Sequence, residues 1–345
     1  MSEDKSLKAQ AWTLFDRIVE PALSENGQPS SNPWWKNASG LWFKPDYSVL
    51  QRLLGVPLLL GAPSQSGVPA LALDVWTAYE LRRAGFEPDL VWPRATPPRI
   101  LPSTLVALRR EATREQRRVL DGMLQSGKTY GGETGASANI LGKNYVKQVD
   151  VVMSTWNTGP EIMISTKRMD SSFGKNAANR VEESYGDAKN LRSRHPQAAL
   201  GFFFSLRSTV LTPQFEDVAA WIIDLLGKLG REDDAYDAVC LIIPDWSDDV
   251  AAPSGDDDDG EDPLVSAGLA GEGLAAEEPL PLELPESELD RRLRSLPTVE
   301  LNRKAVPENL RPEVFFATII NRVLDNSPVN FHREARRLRA NPNPR

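Results

Sequence analysis

The chain has 345 residues, 41% of them hydrophobic, with 40 Lys plus Arg against 48 Asp plus Glu. That length allows one large or two medium domains with real cores. A single cysteine, Cys240, excludes an intramolecular disulfide and a multi-cysteine zinc site, and two histidines, His195 and His332, leave little room for histidine-rich metal chemistry.

In chain order, residues 1–108 form a first section holding six of the nine tryptophans: Trp12, Trp34, Trp35, Trp42, Trp76 and Trp92. Large aromatics dominate core burial, so a core rather than a binding cage is expected for them. GVPALALDVWTAYELRRAGF has the spacing of an amphipathic helix closed by Gly85. The proline-rich VWPRATPPRILP that follows cannot continue a helix and marks a connector. This section is expected to be an accessory domain.

Residues 109–247 alternate between helical and extended patterns. REATREQRRVLDGMLQ has a helical pattern. ANILGKNYV and KQVDVVMST read as strands, WNTGP as a turn and EIMISTKRM as the next strand. SSFGKNAANRVEESYGDAKNLRSR reads as a long helix opened by a serine cap, and QAALGFFFSLRS as a buried strand. TPQFEDVAAWIIDLLGKLG then gives a helix, and YDAVCLIIPDW a buried strand that takes Cys240 into the core. The order α-β-β-β-α-β, then α-β, predicts an α/β fold with a mixed sheet flanked by helices. Residues 248–290 are rich in Gly, Pro, Ala and acid, and a disordered linker is expected. Residues 291–345 hold an amphipathic stretch, PEVFFATIINRVLD, and a basic end, REARRLRANPNPR.

The net charge of -8 hides an uneven distribution: residues 232–290 carry 20 Asp plus Glu and no Lys or Arg, which leaves 40 basic against 28 acidic residues elsewhere. A basic body attracts phosphate backbones, so a polyanion is a candidate partner. The acidic tract itself reads as a solvated linker. MSEDKS precedes no apolar h-region, and VPLLLGAP and LGFFFSL fall far short of the roughly 20 residues a membrane span needs. A cytoplasmic protein without a membrane partner is expected.

GMLQSGKT, Gly122 to Thr129, matches the P-loop pattern at every fixed position. A working P-loop needs a strand before its first glycine and a helix from its lysine onward. EQRRVLDGMLQ looks helical, and YGGETGAS carries three glycines and no helical pattern. The segment therefore reads as a helix exit, with Gly127 capping and Lys128 near the negative end of the helix dipole. A P-loop NTPase stays as a rival reading.

The chemistry is expected elsewhere, in Asp150, Ser165-Thr166-Lys167 and Glu182-Glu183. A hairpin would bring the strands of Asp150 and Lys167 side by side, and Ser165 and Lys167, two apart, share a face. The following helix can lay a glutamate over the same end of the sheet. Carboxylates that hold divalent metal, with a lysine beside the developing charge, suit phosphodiester hydrolysis. Hard oxygen ligands select Mg²⁺.

Here the sequence resembles the PD-(D/E)XK phosphodiesterase superfamily, the fold of many restriction endonucleases. The α-β-β-β-α-β order of residues 109–208 is similar to that family's core. Asp150 matches its aspartate and Lys167 its lysine. Val149 replaces the motif's proline, and Ser165 its second acidic residue. Some restriction enzymes of the superfamily carry Ser-x-Lys at this slot and recruit a glutamate from the next helix. The resemblance thus implies a restriction-endonuclease-like fold with Asp150, Lys167, Glu182 and Ser165 in the site. Asp150 and Glu182 would be the Mg²⁺ ligands. Glu183 is the close alternative to Glu182. Glu161, at the turn end of its strand, is a third candidate. The implied activity is Mg²⁺-dependent cleavage of DNA, of restriction or phage-defence type, and double-strand cleavage by this fold implies a homodimer. A DNA-binding protein that keeps the fold without catalysis is the other rival. His195, before Pro196 at a helix end, is expected to have a local structural role.

Overall fold

The apolar run ALGFFFSL forms a strand buried at every position in the middle of a sheet. The computed structural model describes residues 2–20, 31–38, 40–125, 138–247 and 284–344. Strands β1 (Trp34–Asn37) and β2 (Gly40–Phe43) pair as a small hairpin. The central sheet has the order β3-β6-β7-β8-β9. Its strands are β3 (Val91–Trp92), β6 (Val151–Thr155), β7 (Gly159–Met169), β8 (Ala199–Leu206) and β9 (Ala238–Ile242). The first three run antiparallel to their neighbours, and β8 and β9 are added parallel to β7. The result is a mixed sheet in an α/β fold.

Alternation along the strands gives each face its own core. Val151, Met153, Ile162, Ile164, Phe203, Cys240 and Ile242 face one cluster. It is shared with α1 (Ser2–Val19), α2 (Tyr47–Leu59), α3 (Val68–Arg83) and α9 (Pro312–Asn326). Val152, Met163, Phe202, Phe204, Val239 and Leu241 face the other, with α6 (Phe173–Arg194) and α7 (Glu216–Leu229). Of the six tryptophans of the first section, Trp12, Trp34 and Trp76 are buried core residues.

The expected division at residue 108 does not coincide with a break in packing. β3 hydrogen-bonds to β6, and one cluster runs from Ala11 to Ala335. The helix α3, expected to be amphipathic, is instead buried on nearly every side. It packs on β6 and β7 and against α1, α2 and α9. The central sheet and its flanking helices thus come as α3-β3-β6-β7-α6-β8, with two helices and a separate hairpin inserted between β3 and β6, and its first strand lies before residue 109.

Three further expectations are corrected. The helix expected over REATREQRRVLDGMLQ breaks into α4 (Ser103–Glu111) and α5 (Arg114–Gln125). Thr113 and Gln116 cap α5 reciprocally, with Gln116 N–H on the Thr113 hydroxyl at 3.3 Å and Thr113 N–H on the Gln116 side chain at 2.9 Å. ANILGKNYV and KQVDVVMST are not two long strands. β4 (Ala138–Leu141) and β5 (Val146–Val149) form a separate hairpin, and the chain bends at Asp150 before β6. At the start of α6, Ser172 makes no side-chain cap, because its left-handed backbone (φ 53°) departs from the extended geometry a capping hydroxyl needs.

Gly122 lies inside α5, so a helix, not a strand, enters GMLQSGKT. Gly127 and Lys128 lie outside the described residues, as does most of the segment expected to be disordered. The end of that segment is helical: α8 (Glu286–Arg294) starts after Pro285. Glu288 bonds Arg291 and Arg292, and Leu289 and Leu293 pack on the first core. The basic end forms α10 (Arg333–Ala340) and β10 (Asn343–Pro344), which pairs with β1. No described helix is long and apolar enough to cross a membrane.

Gly85 closes α3 as expected, with φ 95°, and a Cβ there would meet the Ala335 backbone nitrogen at 2.8 Å. Gly85→Ala combines left-handed strain with overpacking against α10. It should cost about 3 kcal/mol, read as a lower denaturation midpoint.

Glu80 is fully buried on α3, 2.7 Å from the Arg83 guanidinium and 2.6 Å from the Asp46 N–H. Burial raises its carboxyl to about 7 against the pull of Arg83. The folded state therefore holds a proton that the unfolded state has lost, and stability drops as pH rises from about 4.5 to about 7, then levels off. Glu80→Gln removes this slope. The wild type should lose more stability than Glu80→Gln between pH 5 and pH 8, as compared by urea unfolding.

Candidate active site

The site forms where β7 outruns β6. Pairing of the two strands ends at Val151↔Ile164, so the edge of β7 beyond Ile164 has no β6 partner. The bend at Asp150 turns its carboxylate onto that edge, where Oδ2 accepts the Thr166 N–H at 2.8 Å. Asp150 thus takes the place of the next ladder acceptor. From the opposite face of the sheet, the Asp74 carboxylate on α3 accepts the Thr166 hydroxyl at 2.5 Å. Thr166, buried and one residue before Lys167, is held by two carboxylates at once.

These groups share one electrostatic field. Loss of water around Asp74 holds its carboxyl well above the usual carboxylate range, and the charge of Asp150 adds to the rise. The Thr166 hydroxyl and the ammonium groups of Lys167 and Lys8 pull it back. Lys167 is half-buried near the end of β7.

Ser165 is buried and directed to α6. Its hydroxyl interacts with the Tyr236 phenol, and the Tyr236 hydroxyl donates to the Ser184 carbonyl at 3.0 Å. Ser165 thus ties β7 to α6 through Tyr236. Glu182 and Glu183 are both exposed on α6. At 100° per residue, Glu182 lies about 140° around the helix from Asp187, an α6 residue that meets the β4–β5 hairpin. It shares its side with Lys189, whose ammonium pairs with Asp234 at 3.0 Å. Glu183 lies about 40° from Asp187, and its charge reaches Tyr145. Helix register thus favours Glu183 over Glu182 on the side of Asp150. Glu161 is engaged elsewhere: it accepts from Thr158 at 2.8 Å and pairs with His332 at 2.7 Å. His195 bonds the Leu141 carbonyl at 2.9 Å, a local role.

The hairpin that leads into Asp150 is seated on α6 by polar contacts. Asn190 Oδ1 accepts the Asn144 N–H at 2.8 Å, and its Nδ2 donates to the Tyr145 carbonyl at 3.0 Å. Asp187 takes the Tyr145 hydroxyl at 2.9 Å and the Lys147 ammonium at 2.9 Å.

Sequence reasoning missed Asp74, Lys147 and Asp187. Asp74 had a signal: it is a carboxylate flanked by apolar residues inside LALDVW, where a charge that becomes buried needs a partner.

Among the described residues, no three His, Cys, Asp or Glu side chains form a group that could hold a metal ion. The donor set still suits Mg²⁺, which is commonly bound through one or two carboxylates, with waters and substrate phosphates completing the shell. Asp74 and Asp150 repel each other across Thr166, an arrangement that a hard divalent cation relieves. Comparisons with protein-family models, with curated proteins and with solved structures found no match.

Proposed function

We propose that the protein is a Mg²⁺-dependent endonuclease that hydrolyses DNA phosphodiester bonds, of restriction or phage-defence type, on a PD-(D/E)XK-like core. The observation that carries this reading is the clasp on Thr166: Asp150 on its N–H, Asp74 on its hydroxyl, and Lys167 next in chain. With the two helices and the hairpin between β3 and β6 set aside, the order α3-β3-β6-β7-α6-β8, three antiparallel strands followed by a helix and a parallel strand, supports the resemblance. In this reading α3 and β3 belong to the catalytic core.

Asp150 and Asp74 would hold Mg²⁺, which when bound polarises the phosphate and supplies hydroxide near neutral pH. Thr166 fixes both carboxylates, so their spacing is set before substrate arrives. Lys167 offers a positive charge to the attacking water or to the charge that builds on the phosphate. Ser165 holds β7 against α6 and leaves the chemistry to its neighbours. A homodimer, one site per strand, goes with double-strand cleavage.

Incubation of the full chain with supercoiled plasmid and Mg²⁺ tests the reading. Nicked or linear product that EDTA abolishes is expected. Salt-dependent DNA binding with no cleavage under any divalent metal would favour the second reading, a non-catalytic DNA-binding protein. Ser165 in the acidic slot, spent on Tyr236, is the observation on that side.

A further inference from the structure

The carboxyl ends of β7, β8 and β9 hold a second cluster on the face that carries α3. Arg168 stands beside Ser205, which stands beside Ile242, in the strand register. Arg168 follows Thr166 on the same face and reaches the Pro69 carbonyl at the start of α3. Arg207, two residues after Ser205, brings its guanidinium carbon to 4.5 Å from the Trp246 ring centre, and that of Arg168 lies 5.2 Å from the same ring. Two cations thus converge on one indole.

Among the described residues, the polar groups around Trp246 include more donors than acceptors. Ser205 is fully buried, and Trp246 is 6% exposed. Neither the Ser205 hydroxyl nor the Trp246 N–H has a hydrogen-bond partner among the described residues. Among the described residues, two carboxylates of this cluster are engaged. Asp170 takes Arg168 Nε at 2.8 and 2.9 Å, and Asp245 takes the Ser208 hydroxyl at 2.5 Å. Buried donors without acceptors cost free energy, and a ligand that brings acceptors and negative charge recovers it. The carboxyl ends of parallel strands are also where open α/β sheets bind ligands.

We propose that Arg168, Arg207, Trp246 and Ser205 form a phosphate-group subsite at the carboxyl ends of β8 and β9. It lies on the sheet face of the Asp74–Thr166 contact. It rests on the nuclease reading only for the source of the phosphate, which is either a second phosphate of the polynucleotide or a free phosphate ion.

Titration calorimetry of the full chain with inorganic phosphate, in the absence of metal, tests the subsite. Wild type should bind. Arg207→Gln should bind at least about tenfold more weakly, the weight of a charged hydrogen bond. Ser205→Ala should weaken binding roughly threefold and yet raise the melting temperature of the phosphate-free protein, because an unpartnered buried hydroxyl is removed. A purely structural hydroxyl would give the opposite sign in melting. The subsite is overturned if wild type takes up no phosphate, or if both variants bind it as wild type does. Repeating the titration on Asp150→Asn with saturating DNA duplex separates the sources. Displacement of phosphate assigns the subsite to the polynucleotide, and simultaneous binding assigns it to the free ion. Phosphate binding that persists in a protein without plasmid cleavage would end the nuclease reading and leave the subsite standing.

Discussion

Lys167→Ala should lower Mg²⁺-dependent plasmid cleavage by at least about 10²-fold, the weight of one preorganised charge-stabilising donor. The effect is expected on the single-turnover rate at saturating Mg²⁺, because Lys167 does not hold the metal in this reading. Asp150→Asn should cost on the order of 10³-fold or more, since it removes a metal ligand's charge. An asparagine carbonyl can still accept the Thr166 N–H, so the clasp and the fold survive. Asp74→Asn should fall in the same range and should raise the Mg²⁺ concentration needed for half-maximal rate. Glu182→Gln should stay within about twofold of wild type, because an exposed helix glutamate away from the site contributes little. Cleavage that survives both Lys167→Ala and Asp150→Asn would end the assignment. Loss of cleavage in Glu182→Gln would instead restore the helix carboxylate as a ligand and demote Asp74.

Much of this arrangement was legible because it follows from alternation along the chain. The run ALGFFFSL can only be a strand buried on both faces, and Ser165 and Lys167 had to share a face. Gly85 marked the end of α3 because only glycine takes φ 95° there without strain. What stayed hidden depends on contacts far apart in sequence. Val91 and Trp92 are two residues beside a proline, too short to show a period, and β6 alone makes them a strand. Asp74 gave only the local signal of a carboxylate among apolar residues in LALDVW, which does not name its partner. The side it faces becomes interior only when β7, about ninety residues later, lies against α3. The bend at Asp150 was invisible for a related reason. KQVDVVMST alternates well enough for one strand, but its two halves pair with different partners, β4 and β7.

Lys147 was likewise passed over as one charge on a half-polar strand, and it sets the other large expected effect. Its side chain is 2% exposed, and its ammonium lies 2.9 Å from Asp187, itself 9% exposed. Lys147→Met leaves a buried carboxylate with the Tyr145 hydroxyl but without its cation. The cost of breaking such a pair from one side is about 3–5 kcal/mol, read as a shift in the urea midpoint at constant slope. The double variant Lys147→Met/Asp187→Leu removes both charges and should recover most of that loss, because two apolar side chains no longer need each other's charge. The cost thus comes from stranding one ion rather than from losing an attraction. Asn190 still grips Asn144 and Tyr145 in the double variant, so the hairpin keeps its seat on α6 and Asp150 its bend. Cleavage should therefore return along with stability. If stability returns and cleavage does not, the pair positions Asp150 directly, and the Asn190 contacts alone do not suffice to aim its carboxylate at Thr166.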